Sequence, residues 1–91
     1  MSYTVEYGQE AKEALLKLPD DIALLVVDEI DGKLAKNPAA LGRGSFFPYL
    51  PTGQIYQFWC DTPQHHYFVS VFFEFAANDT ILVFALAAQK T

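Results

Sequence analysis

From Gly44 to Gln89 the sequence contains no lysine and no arginine, and the histidines His65 and His66 are its only other basic groups. A surface that grips a phosphate backbone needs cations where it grips, because affinity rises with the number of phosphates neutralised. A nucleic-acid groove built from this half of the chain is therefore disfavoured. Cysteine is nearly absent as well. Cys60 stands alone, which excludes a disulfide framework and a cysteine-based metal set within the chain. The longest apolar run, Ile81 to Ala88, is too short for a transmembrane helix. The N-terminus, MSYTVEYGQE, lacks the basic-then-apolar order of a signal peptide, so a cytoplasmic location is expected, with no membrane partner. Nothing in the sequence calls for a metal or a cofactor.

What is abundant is apolar material. Of 91 residues 52% are apolar, and of the aromatic ones eight are Phe and five Tyr, against one Trp. A chain of this length is expected to form one domain over 1–91. That is more apolar surface than one small core requires, and the surplus is expected to emerge as a patch of the kind that marks an interface. The net charge of −5 comes mostly from acids within residues 6–36, where they read as the solvated faces of helices.

Tyr3 to Tyr7 alternates apolar and polar residues, the period of a half-buried strand, and Gly8 ends it. Ala11, Ala14, Leu15 and Leu18 share one face of a helix from Gln9 to Leu18. Pro19 breaks the chain, and Asp20-Asp21 can cap a second helix running to about Lys36. Ile22, Val26, Ile30 and Leu34 form its buried stripe, and Asn37-Pro38 stops it. A glycine loop over 39–44 leads to extended segments near 45–50, 54–61, 66–76 and 80–88. The expected class is α+β, an N-terminal strand and an antiparallel helical hairpin packed on one face of a mostly antiparallel twisted sheet, in the order β-α-α-β-β-β(-β).

Turns set the register. Thr62 to His65 reads as a four-residue loop placing Asp61 opposite His66, and Asn78-Asp79 as a two-residue turn placing Ala77 opposite Thr80. Alternation then assigns Tyr56, Phe58, Cys60, Tyr67, Val69, Val71, Phe73, Phe75, Leu82, Phe84 and Leu86 to the face beneath the helices. The opposite face receives Ile55, Gln57, Trp59, Asp61, His66, Phe68, Ser70, Phe72, Glu74, Ile81, Val83, Ala85 and Ala87. Large aromatics beside alanines make a groove. Ile55, Gln57, Trp59, Phe68, Ser70, Phe72, Val83, Ala85 and Ala87 are its candidate lining, suited to an apolar helix or to a second copy of the same sheet.

The opening Tyr-x-Val-x-Tyr strand, Ala11…Leu15-x-x-Leu18-Pro19, a helix ending before Asn37-Pro38, Leu50-Pro51-x-Gly53, Tyr67-x-Val69…Phe73 and Ile81-Leu82-Val83 together resemble the RelE/ParE superfamily of toxins from bacterial toxin–antitoxin pairs. The resemblance covers nearly the whole chain and implies a β-α-α-β-β-β core. It implies one of two activities, cleavage of messenger RNA on the ribosome or inhibition of DNA gyrase, and an antitoxin whose segment wraps the toxin. RelE-like nucleases carry lysines and arginines on the middle strands. Here those positions hold Tyr56, Gln57, Phe58 and Trp59, with Phe68 where the next strand's arginine is usual; only Lys90 stands where a family base is expected.

Ribonuclease chemistry needs a base, an acid and a cation for the pentavalent phosphate. His66 and Glu74 are the acid–base candidates and Lys90 the cationic one; His65 shares the histidine chemistry, and Arg43 is the other base able to reach the sheet. The expectation is a toxin-family protein acting mainly by binding protein at the sheet groove, with little or no nuclease activity. Its partner is then an antitoxin-like segment or a second copy in a homodimer. An active ribosome- or gyrase-directed toxin and a purely structural homodimer are the alternatives.

Overall fold

Apolar residues at four-residue spacing and strands apolar on alternate positions bury their stripes only against each other, and the chain does this as a helical layer on a sheet. The structure, a computed structural model, describes residues 2–44 and 53–91. Strand β1 (Thr4–Tyr7) leads to helix α1 (Gln9–Leu16) and helix α2 (Asp20–Glu29), which continues through a π-helical turn at Ile30–Leu34. A short helix α3 (Pro38–Leu41) and a two-residue strand β2 (Arg43–Gly44) occupy the expected glycine loop. Strands β3 (Gln54–Asp61), β4 (His66–Ala76) and β5 (Thr80–Lys90) complete the fold. The expected strand at 45–50 and the Leu50-Pro51 part of the motif lie outside the described residues.

The sheet has five strands in the order β1-β5-β4-β3-β2. Only β1 with β5 is parallel, so the sheet is mixed but mostly antiparallel, as the pattern predicts. Ile22, Val26, Ile30 and Leu34 are all completely buried, packing with Cys60, Val69, Val71 and Phe73 from the sheet. Each such side chain contributes about 1.5–3 kcal/mol through burial. The start of α2 differs from expectation. Pro19 holds the N-cap position without a side-chain cap, while the Asp21 carboxylate accepts the N–H of Ile22 at 2.9 Å.

The β3–β4 loop has the expected register, with Asp61 opposite His66. The β4–β5 turn does not. Ala76, not Ala77, pairs with Thr80, giving a three-residue turn in which Asn78 (φ 62°) and Asp79 (φ 51°) adopt left-handed backbone. Asn and Asp tolerate that region better than other side chains. The slip is undone farther along by a bulge: Phe73 pairs with Val83 but Phe72 with Ala85, leaving Phe84 as the extra residue. Between turn and bulge the two faces of β5 are therefore exchanged. Val83, expected in the groove, is completely buried, as is Ile81. Leu82, expected in the core, pairs with Glu74 and Glu6 on the opposite face. Beyond the bulge the expected register returns, with Ala85 and Ala87 opposite Phe72 and Ser70 and Leu86 in the core.

Gly42 lies where α3 turns back onto the sheet. A Cβ there would stand 2.5 Å from Cζ of Phe73 and 2.9 Å from the carbonyl oxygen of Pro38. Phe73 is completely buried, and a backbone carbonyl cannot swing aside, so neither neighbour yields easily. Gly42→Ala is expected to cost about 1–3 kcal/mol in denaturant unfolding. Asn78→Val places a β-branched residue in left-handed backbone and is expected to cost ~1–2 kcal/mol, whereas Asn78→Gly should leave stability near that of the wild type.

Candidate functional site

Helices cover one side of the sheet, and the register defines the other. Reading across the strands, Ile55, Phe72 and Ala85 form one row, Gln57, Ser70 and Ala87 the next, then Trp59, Phe68 and Gln89. Asp61 and His66 end the face on that side, and Glu74, Leu82 and Glu6 end it on the other. Eight of the nine expected groove residues thus share the open face; Val83 alone is withdrawn into the core.

Local interactions hold this face in shape. The rings of Trp59 and Phe68 pack at a tilt of 55° with centroids 4.8 Å apart, yet Trp59 remains 62% exposed. Gln57 Nε2 donates to Ser70 Oγ at 3.0 Å. His66 Nδ1 and Asp61 Oδ1 are 2.9 Å apart at the exposed end. Alanines in the β5 column lower the surface beside these larger groups. Arg43 pairs with Ile55 across β2 and β3 and so enters the same face from its edge. It is the one lysine or arginine there among the described residues, against the carboxylates of Glu6, Asp61 and Glu74.

The nuclease candidates do not come together. His66 and Glu74 share the open face but stand eight residues apart on β4, which at ~3.3 Å per residue is roughly 26 Å. Lys90 pairs with Tyr67, a residue packed against the core, and so belongs to the helix side. Acid, base and cation are thus on different parts of the molecule, and no phosphate could touch all of them. Among the described residues no group of three His, Cys, Asp or Glu side chains could hold a metal ion, and no helix is long and apolar enough to cross a membrane.

Polar ties between helices and sheet escape sequence reasoning because they join residues far apart in the chain. Tyr56 donates to Glu29 Oε2 at 2.6 Å, and Lys33 Nζ lies 3.7 Å from the same oxygen. Tyr7 donates to Asp31 Oδ1 at 3.3 Å. His65 Nδ1 meets Asp21 Oδ2 at 3.1 Å, and this bond holds the Asp21 carboxyl below its usual range. The phenols of Tyr7 and Tyr56 are pushed well above their ordinary value, first by burial and then by the neighbouring carboxylate. Burial also raises the Cys60 thiol, which disfavours its thiolate form.

No protein-family model matches this chain, and no curated protein matches it. Its structure is similar to a chain of the RelBE2 toxin–antitoxin complex from Mycobacterium tuberculosis, with a TM-score of 0.79 and 20% sequence identity, over 98% of this chain and 100% of that one. A likeness at that identity is a likeness of fold: the chain has a RelE-like α+β architecture.

The two tyrosines make stability depend on alkaline pH. Their folded-state values lie above the ordinary ~10 of a free phenol, so their contribution is complete below pH ~10 and is lost as pH rises through the folded-state values. Denaturant titrations across this range should show stability falling above pH ~10. Tyr56→Phe should lower stability at neutral pH by about 1 kcal/mol and flatten that alkaline fall.

Proposed function

We propose that this chain is the toxin-type member of a toxin–antitoxin pair and that it works chiefly by holding a protein segment on the open face of its sheet. The observation that carries this reading is the composition of that face. Exposed Trp59 and Ala87, with half-buried Phe68, Ile55 and Ala85, stand where a phosphate-gripping surface would present lysine and arginine. Apolar relief of this kind suits the apolar side of a helix or a partner's extended segment, in which a few aromatic anchors supply most of the affinity. The RelE-like fold supports the pairing with an antitoxin, since the similar solved structure is itself a toxin–antitoxin complex.

The same geometry bears on mechanism. Electrostatic stabilisation is usually the largest catalytic contribution, and here His66 and Glu74 stand at opposite ends of β4 while Lys90 lies on the other face of the sheet. Action by binding needs no such convergence. The partner segment would seat against Trp59 and Phe68 and cross the shallow column of Ala85 and Ala87, with Arg43 at the edge available to a partner carboxylate.

Ala85→Arg tests the choice of face, because it raises the floor of the groove without entering the core. Titrated against the purified product of an adjacent short reading frame, the variant should bind at least about tenfold more weakly, a loss of roughly 1.4 kcal/mol, with an unchanged circular dichroism spectrum. Equal binding by the variant would place the partner elsewhere. Failure of the unmodified chain to bind the product at all would remove the antitoxin-paired reading.

A further inference from the structure

We propose that the edge of β3 is a self-pairing surface, where two copies of this chain join Gln57–Asp61 antiparallel about a two-fold axis through Trp59. Among the described residues strand β2 is two residues long and pairs with Gln54 and Ile55 alone. Beyond Ile55, β3 has β4 on one side and, among the described residues, no strand on the other. Alternate residues of an edge strand point N–H and C=O away from the neighbour they already have, leaving a row of donors and acceptors. Natural edges are commonly blunted by lysine, proline or a bulge. This one has none of them: Gln57-Phe58-Trp59-Cys60-Asp61 contains neither residue, and its register with β4 is unbroken.

Charge and register select a second copy as the occupant. The open face of this edge begins at Arg43, beside Ile55, and ends at Asp61. A two-fold antiparallel pairing sets the head of one edge against the tail of the other, so cation meets anion at both ends. Such self-complementarity is what an isologous interface requires. Because outward-pointing residues alternate, the axis must pass through a residue and not between two. An axis at Phe58 would collide with β2, and one at Cys60 would pair only three residues. Trp59 is the centre that uses the whole free edge.

In that register the second copy's Asp61 lies across from Gln57, two residues along the edge from Ile55, or roughly 7 Å at ~3.3 Å per residue. That is within reach of the Arg43 guanidinium. A cleft of about 360 Å³, lined by Leu41, Arg43, Ile55, Tyr56 and Gln57 among others, opens there and gives the incoming strand end room. The two Trp59 rings meet across the axis. The pairing shares Trp59 and Arg43 with the binding face proposed above but leaves Phe68, Phe72, Ala85 and Ala87 of both copies uncovered, and it is argued from the β3 edge independently of that partner.

Trp59 is the only tryptophan, so its fluorescence reports the pairing directly. Sedimentation of the full chain should show a reversible monomer–dimer equilibrium, with emission moving to shorter wavelength as concentration rises. Trp59→Lys, at an exposed position, should be monomeric with an unchanged circular dichroism spectrum. Asp61→Arg should weaken dimerisation roughly tenfold, and the double variant Arg43→Asp/Asp61→Arg should restore it, because the exchanged charges again meet across the axis. That rescue also separates the pairing from a folding defect. A monomer at every concentration, a dimer that survives Trp59→Lys, or a double variant as weak as the single one would each overturn the proposal.

Discussion

Both faces of the sheet are settled by how β4 pairs with β5, because a one-residue slip carries each side chain to the other side. The turn at Asn78 and Asp79 introduces such a slip, and the bulge at Phe84 removes it. Between them Ile81 and Val83 enter the core, where β1 supplies Val5 and Tyr7 opposite them. Beyond the bulge Leu86 takes over the core side, while Ala85 and Ala87 face outward. One irregularity thus lets β5 serve two neighbours. Near the turn it meets the parallel strand β1, and farther along it supplies the small residues that lower the open surface.

The helical layer reinforces this division. Its apolar stripe packs on the buried residues of the sheet, and its acids bond outward from that stripe to the sheet. Asp21 bonds to His65, Glu29 to Tyr56 and Asp31 to Tyr7, so α2 and its π-helical turn are tied to the β3–β4 loop, to β3 and to β1. Such bonds contribute modestly one by one, on the order of 1 kcal/mol. Their directions matter more, since apolar packing alone would let the helix slide along its stripe. With one side of the sheet held this firmly beneath helices, the opposite side and the β3 edge remain for partners, and both proposed interfaces use them.

Much of the fold was legible in the residues. The four-spaced Ile22, Val26, Ile30 and Leu34 predicted a buried helix face, and all of them are buried. The loop from Thr62 to His65 predicted its register because a proline-containing polar segment between alternating strands leaves few pairings. The candidate groove was legible on β3 and β4, where Gln57, Ser70 and Glu74 among aromatics mark the outward positions. It failed at Val83 for a definite reason: Ile81 to Ala88 is apolar at every position, so alternation cannot tell one face of β5 from the other. Hydrophobic pattern selects a register only where the two faces differ in polarity.

The sequence by itself determined the class of fold, the helix that would be buried, and the absence of cations from the sheet-forming half. Composition and period act locally and need no knowledge of neighbours. Tertiary structure alone decided which side of β5 faces the helices, that His66, Glu74 and Lys90 stand apart, and that β2, among the described residues, covers only the first part of the β3 edge. Those outcomes depend on pairing between distant segments and on the conformation of a few turn residues, where small backbone preferences are amplified into the placement of entire strands.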